Sequence, residues 1–163
     1  MQSLCALAGL DYNLQASHDY ASLFLAADEL GVDETEQVFR RACFNIVASN
    51  NDDHTKNHSF VMDQLGTWSL SPAYDVTYAY NRSNQWLRQH LMSVNGRFSE
   101  VRSSDLLTLA DQFEVVDAQT ILNEVIDAVS AWPKIAQDCG VSTDRVLEVE
   151  KRLAEIRTEL SAR

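Results

Sequence analysis

Five glycines and two prolines are all the backbone punctuation that 163 residues contain. A sheet-rich chain needs frequent turns, and the residues that make them are thinly spread here. Between the breaks, apolar residues recur at helical spacing. Residues 3–9 read as a short helix, and Ser17 is a candidate N-cap for a second over 19–30 that Gly31 stops. A third is predicted over 33–49, opened by Asp33 with Glu36 three residues on. Its Val38, Phe39, Ala42, Cys43, Ile46 and Val47 fall on one face. Further stripes are Leu106 to Phe113, Ile121 to Trp132 with Pro133 as a kink or stop, and Val146 to Leu160. The period changes to two only at 59–63 and 67–70, the pattern of a short hairpin around Gly66. A second hairpin is expected from 85 to 93, turning at Asn95-Gly96 and returning through Arg97-Phe98. The expectation is a mainly α chain, residues 1–163 in a single domain, with one or two small β-hairpins.

Composition narrows the function. A net charge of −11, with no run of Lys or Arg, argues against direct binding to nucleic acid through phosphates. Cys5, Cys43 and Cys139 are odd in number, far apart and set among apolar residues, which predicts buried, reduced thiols. No apolar run reaches the roughly 18 residues of a membrane span, and Met1-Gln2-Ser3 lacks the basic start of a signal peptide. A cytoplasmic protein with no membrane association is the expectation.

The chemistry is concentrated between Asp52 and Asp75. Eight polar residues, Asn50-Asn51-Asp52-Asp53-His54-Thr55-Lys56-Asn57, follow the third helix directly. A hairpin comes next, and then Ser71-Pro72-Ala73-Tyr74-Asp75. Phosphoryl transfer from a nucleotide needs a carboxylate to position the acceptor and oxygen ligands for Mg²⁺. Protein kinases supply an Asp, an Asn five residues later, and a second Asp beyond a β-hairpin. Asp52, Asn57 and Asp75 stand in that order and at that step. Each alone reads as a turn or cap residue; the combined spacing is what carries information. Asp53 reads equally as a loop-stabilising or an active-site residue.

With Phe44-Asn45 ahead of the loop and Leu70-Ser71-Pro72 ahead of Asp75, the pattern resembles the C-terminal lobe of HipA-type serine/threonine kinases. These are toxins of bacterial toxin–antitoxin modules, with a two-lobed kinase-like fold. The resemblance extends over most of the chain, although only the two motifs are specific. It implies Asp52 as the catalytic Asp, with Asn57 and Asp75 as Mg²⁺ ligands. His54 and Lys56 match other positions of the family's loop and are candidates for contact with the cofactor, ATP. It also implies a protein substrate such as an aminoacyl-tRNA synthetase, phosphorylated on Ser or Thr, and a small HipB-like antitoxin as partner.

The chain departs from a whole kinase in one respect. No two of its glycines lie within ten residues of each other, and Lys56, Lys134 and Lys151 are its only lysines, so it lacks the glycine-rich loop and strand lysine that cover ATP phosphates. An N-lobe from elsewhere in a longer polypeptide or from another chain is then required. Two rival readings remain open. One is a noncatalytic half-kinase module that binds an antitoxin or a lobe-bearing partner. The other is a metal-dependent hydrolase using the same carboxylates with His54 and His58, four residues apart. Alternatively His54 is a structural imidazole that holds the loop in shape. His90 has no local partner, and the charges of 148–159 read as a solvated helix face.

Overall fold

The computed structural model describes residues 1–14 and 16–162. In chain order the elements are β1 (Gln2–Ser3), α1 (Leu4–Leu7), β2 (His18–Asp19), α2 (Ala21–Glu29), α3 (Thr35–Val47), β3 (Ser59–Met62), β4 (Trp68–Leu70), β5 (Met92–Ser93), α4 (Ser103–Gln112), α5 (Ala118–Ser130), α6 (Trp132–Asp138) and α7 (Thr143–Ser161). The fold is mainly α, as the punctuation predicts. The stripe of α3 is buried, and α5 and α7 pack against that helix with Ile121, Leu122, Val125, Leu153 and Ile156. Each such aliphatic side chain contributes about 1.5–3 kcal/mol of burial. Pro133 neither kinks nor ends a long helix. It sits in the first turn of α6, after a break at Ala131, where its missing N–H costs nothing.

Helix starts differ from expectation wherever a local cap is predicted. Ser17 donates to the Leu14 carbonyl at 2.7 Å, and Asp19 accepts from Ala21 N–H at 2.9 Å at the head of α2. Asp33 makes no cap. α3 begins at Thr35, and the Glu34 carboxylate reaches across to the backbone N–H of Leu70 at 2.9 Å, tying β4 to the helix.

The first hairpin is present, with Phe60 opposite Leu70 and Met62 opposite Trp68, turning at Gly66 with φ +86°. β1 adds to its free edge, with Gln2 opposite Phe60. The second hairpin shrinks to a turn. Asn95 and Gly96 both have positive φ, 51° and 78°, and Val94 bridges Arg97. Residues 85–91 form no strand, and β5 pairs in parallel with β2 instead. The thiols also differ: Cys43 is buried, Cys5 is half-buried and Cys139 is exposed. Apolar neighbours in sequence cannot report which side of a short helix faces water.

Candidate active site

The polar loop leaves α3 through Ser49, whose φ of +52° turns the chain out of the helix. Beneath it lies Asp53, with no solvent exposure. Its carboxylate accepts from the Tyr20 hydroxyl at 2.7 Å, the backbone N–H groups of Leu91 and Met92 at 2.7 and 3.3 Å, and Nδ1 of His90 at 2.9 Å. The Tyr20 hydroxyl in turn accepts from the Asn45 amide at 2.9 Å, and the Asn45 carbonyl oxygen accepts from Asn50 at 3.0 Å. Burial, reinforced by the Asp53 charge, raises the Tyr20 phenol well above its ordinary range, so it stays a donor. Asp53 is therefore the loop's internal anchor.

Anchoring one carboxylate leaves its neighbour free. The Asp52 side chain is 46% exposed, and its nearest ionisable partner is His54 Nε2 at 3.9 Å. The Asp52 backbone carbonyl accepts from the Asn57 amide at 2.8 Å, which closes the five-residue loop on itself. Asn57 Oδ1 thereby keeps its acceptor capacity, with no protein donor among the described residues. Asp75 is exposed, with φ +52°, a left-handed conformation that Asp tolerates better than most residues. The Tyr74 hydroxyl, next to it, donates to the Lys56 carbonyl at 2.5 Å and contacts Ser59 Oγ at 2.5 Å. That pair of bonds binds the segment carrying Asp75 to the residues flanking Asn57.

Asn57 and Asp75 consequently line one cavity of about 570 Å³, together with Arg41, Phe44, Asn50 and His58. Asp52 and His54 line a second pocket, of about 240 Å³. The hard oxygens of Asn57 and Asp75 fit Mg²⁺ in type. Among the described residues no three His, Cys, Asp or Glu side chains gather where they could hold a metal.

The remaining candidates are placed as follows. Lys56 is exposed, with its ammonium 3.0 Å from the centroid of the Tyr12 ring. His54 is not the imidazole that holds the loop. Its Nδ1 is buried without a partner, and the structural role falls to His90, whose partner lies 37 residues away. His58 is buried edge-on to Tyr20 at 5.6 Å, and neither ring nitrogen has a partner. Burial pushes its pKa down to about 4, against the pull of Asp53. Sequence reading missed Tyr20 altogether, and it used Asn45 only as a flanking residue of the motif, with no role in holding the loop. A polar Asn45 on the apolar face of α3 was the available signal.

The family model for the HipA-like C-terminal domain matches residues 1–149. The chain belongs to that family. A HipA-like domain is also what the fold resembles. A solved structure similar to it is that of Shewanella oneidensis MR-1 HipA, in a complex with HipB and its operator DNA. The two superpose with a TM-score of 0.65 at 17% sequence identity, over 96% of this chain and 42% of that one. The HipA-like domain described here thus spans about two-fifths of the matched HipA polypeptide. No curated protein matches the chain.

Proposed function

We propose that this HipA-like domain is the catalytic-loop half of a serine/threonine protein kinase. The observation that carries the reading is the convergence of Asn57 and Asp75, from opposite sides of a hairpin, on one cavity, while Asp53 locks the loop from below and leaves Asp52 exposed. Asp52 orients the acceptor hydroxyl and takes its proton. The hydroxyl oxygen forms a bond to the γ-phosphorus of ATP, the bond from that phosphorus to the bridging oxygen breaks, and ADP leaves with the electron pair. Asn57 and Asp75 would hold Mg²⁺, which when bound neutralises charge on the phosphates. A glycine-rich lobe completes the other wall of the cleft. By extension from the resemblance, the acceptor is a Ser or Thr of a protein such as an aminoacyl-tRNA synthetase. A HipB-like antitoxin is the proposed partner, in keeping with the HipB present in the Shewanella complex.

The test is phosphate transfer from radiolabelled ATP in a cell extract, with this chain joined to or mixed with a HipA N-lobe. Label is expected only with the lobe present, and Asp52→Asn abolishes it without changing the circular dichroism. Equal labelling by the Asp52→Asn protein overturns the assignment. Absence of labelling by the completed parent protein supports the noncatalytic module instead.

A further inference from the structure

The second pocket is lined by Tyr12, Asn13, Asp52, His54, Trp86 and Leu91. Leu91 ties it to the anchored loop, its backbone N–H donating to the buried Asp53 carboxylate at 2.7 Å. Tyr12 and Trp86 come from separate loops, one after α1 and one before β5, and each is 40% exposed. Three further residues offer acceptors. The Asp52 side chain is 46% exposed, and Nδ1 of His54 is buried without a partner. The Asn13 amide nitrogen donates to Asp11 at 3.0 Å, which leaves the carbonyl oxygen as the free end of that amide. Among the described residues no Lys or Arg lines the pocket. The Lys56 ammonium lies 3.0 Å from the centroid of the Tyr12 ring but outside that lining, so the charge that an entering group touches is the Asp52 carboxylate.

We propose that this pocket is a recognition site for an arginine side chain of a partner protein. An acidic side chain would be repelled by Asp52, and an aliphatic one would strip water from that carboxylate and leave it unpaired. A lysine ammonium is a compact, strongly hydrated point charge. A guanidinium is planar and less hydrated, so it can pair with a carboxylate through its N–H fork and lie against an aromatic ring at the same time. The volume of about 240 Å³ holds one long side chain and little more. Free arginine fits less well than the residue within a protein, because no cation in the lining receives its carboxylate. The net charge of −11 also draws a basic partner toward the chain from a distance. An arginine paired with Asp52 occupies the oxygens that would accept a hydroxyl proton, so the bound partner holds the kinase off. That consequence, unlike the binding itself, rests on the reading of Asp52 as the acceptor-orienting group.

The chain has three tryptophans, Trp68, Trp86 and Trp132, whose indole N–H signals can be followed by NMR and assigned with a Trp86→Phe variant. N-acetyl-arginine methylamide is titrated in without nucleotide, and the same is done with free L-arginine and with the capped lysine and leucine analogues. A saturating shift of the Trp86 signal alone, in the millimolar range, is expected for the capped arginine. The lysine compound and free arginine bind more weakly, and the leucine compound gives no saturating shift. Asp52→Asn weakens arginine binding about tenfold, and Tyr12→Leu, which keeps an apolar wall but removes the ring, weakens it about threefold. Asp28→Asn, which removes an exposed carboxylate from α2, leaves it unchanged. No shift, equal shifts of all three indoles, equal or tighter binding of the leucine compound or of free arginine, or binding that survives Asp52→Asn overturns the proposal. The titration needs neither ATP nor a second lobe, so a completed enzyme that transfers no phosphate refutes the kinase reading and leaves this result standing.

Discussion

Asp52 and Asp53 are adjacent in the chain and opposite in environment: one carboxylate is half-exposed and the other accepts four bonds with no exposure. Truncating Asp53 to Ala orphans the Tyr20 hydroxyl, the His90 imidazole and two backbone N–H groups at once. A loss of about 3–5 kcal/mol in denaturant unfolding is expected, against about 0.5 kcal/mol or less for Asp52→Ala. His58 gives a pH signature. Its pKa falls from 6.5 to about 4 on burial, so the folded chain binds this proton less readily than the unfolded one. The contribution is complete above pH 6.5 and is lost as pH falls from there toward 4, on the order of 3 kcal/mol in all. His58→Phe removes the ring nitrogens that have no partner. The stability difference between variant and parent should therefore grow in favour of the variant from pH 7.5 to pH 4.5 in urea titrations. A loop-stabilising role was one of the two readings the sequence left for Asp53, but its partners were not legible locally, because they lie 33 to 39 residues away along the chain.

The helices were legible because an apolar stripe is a local record of which face is buried. Short strands leave no such record: two residues cannot display a period, so nothing in the pattern marks β1 and β2, and of the arm expected over 85–93 only Met92 and Ser93 are strand, paired with β2. The element that matters most for the site is the segment from Ser71 to Val76, which has no regular structure and depends on Tyr74 for its position. Tyr74→Phe removes one hydroxyl, which links the Lys56 carbonyl and Ser59. Stability should fall by only about 1 kcal/mol. On the proposed kinase reading, in the chain completed by an N-lobe, the Mg²⁺ concentration for half-maximal transfer should rise several-fold as Asp75 drifts from Asn57. Titrating Mg²⁺ against labelled transfer for both proteins checks this, and an unchanged midpoint would show that the tie does not position the ligand.

At the scale of the whole molecule, the mainly α architecture was readable from the apolar stripes and the scarcity of Gly and Pro, and the HipA-like pattern from Asp52, Asn57 and Asp75 with their flanking residues. What the loop rests on was not, because it is assembled from every part of the first 93 residues. Tyr20 and Asn45 come from before the loop, and His90, Leu91 and Met92 from after it. Arg152 of α7 adds a further brace, with its guanidinium 4.3 Å from the Tyr80 ring and 3.3 Å from Ser49 Oγ. The pairing of β1 with β3, and of β2 with β5, has a consequence for synthesis on the ribosome. Gln2 and Ser3 must wait for Ser59 and Phe60 to emerge, and His18 and Asp19 must wait for Met92 and Ser93. A nascent chain that has not yet released Met92 cannot bury Asp53, so the polar loop after α3 takes its final shape only once Met92 has left the exit tunnel.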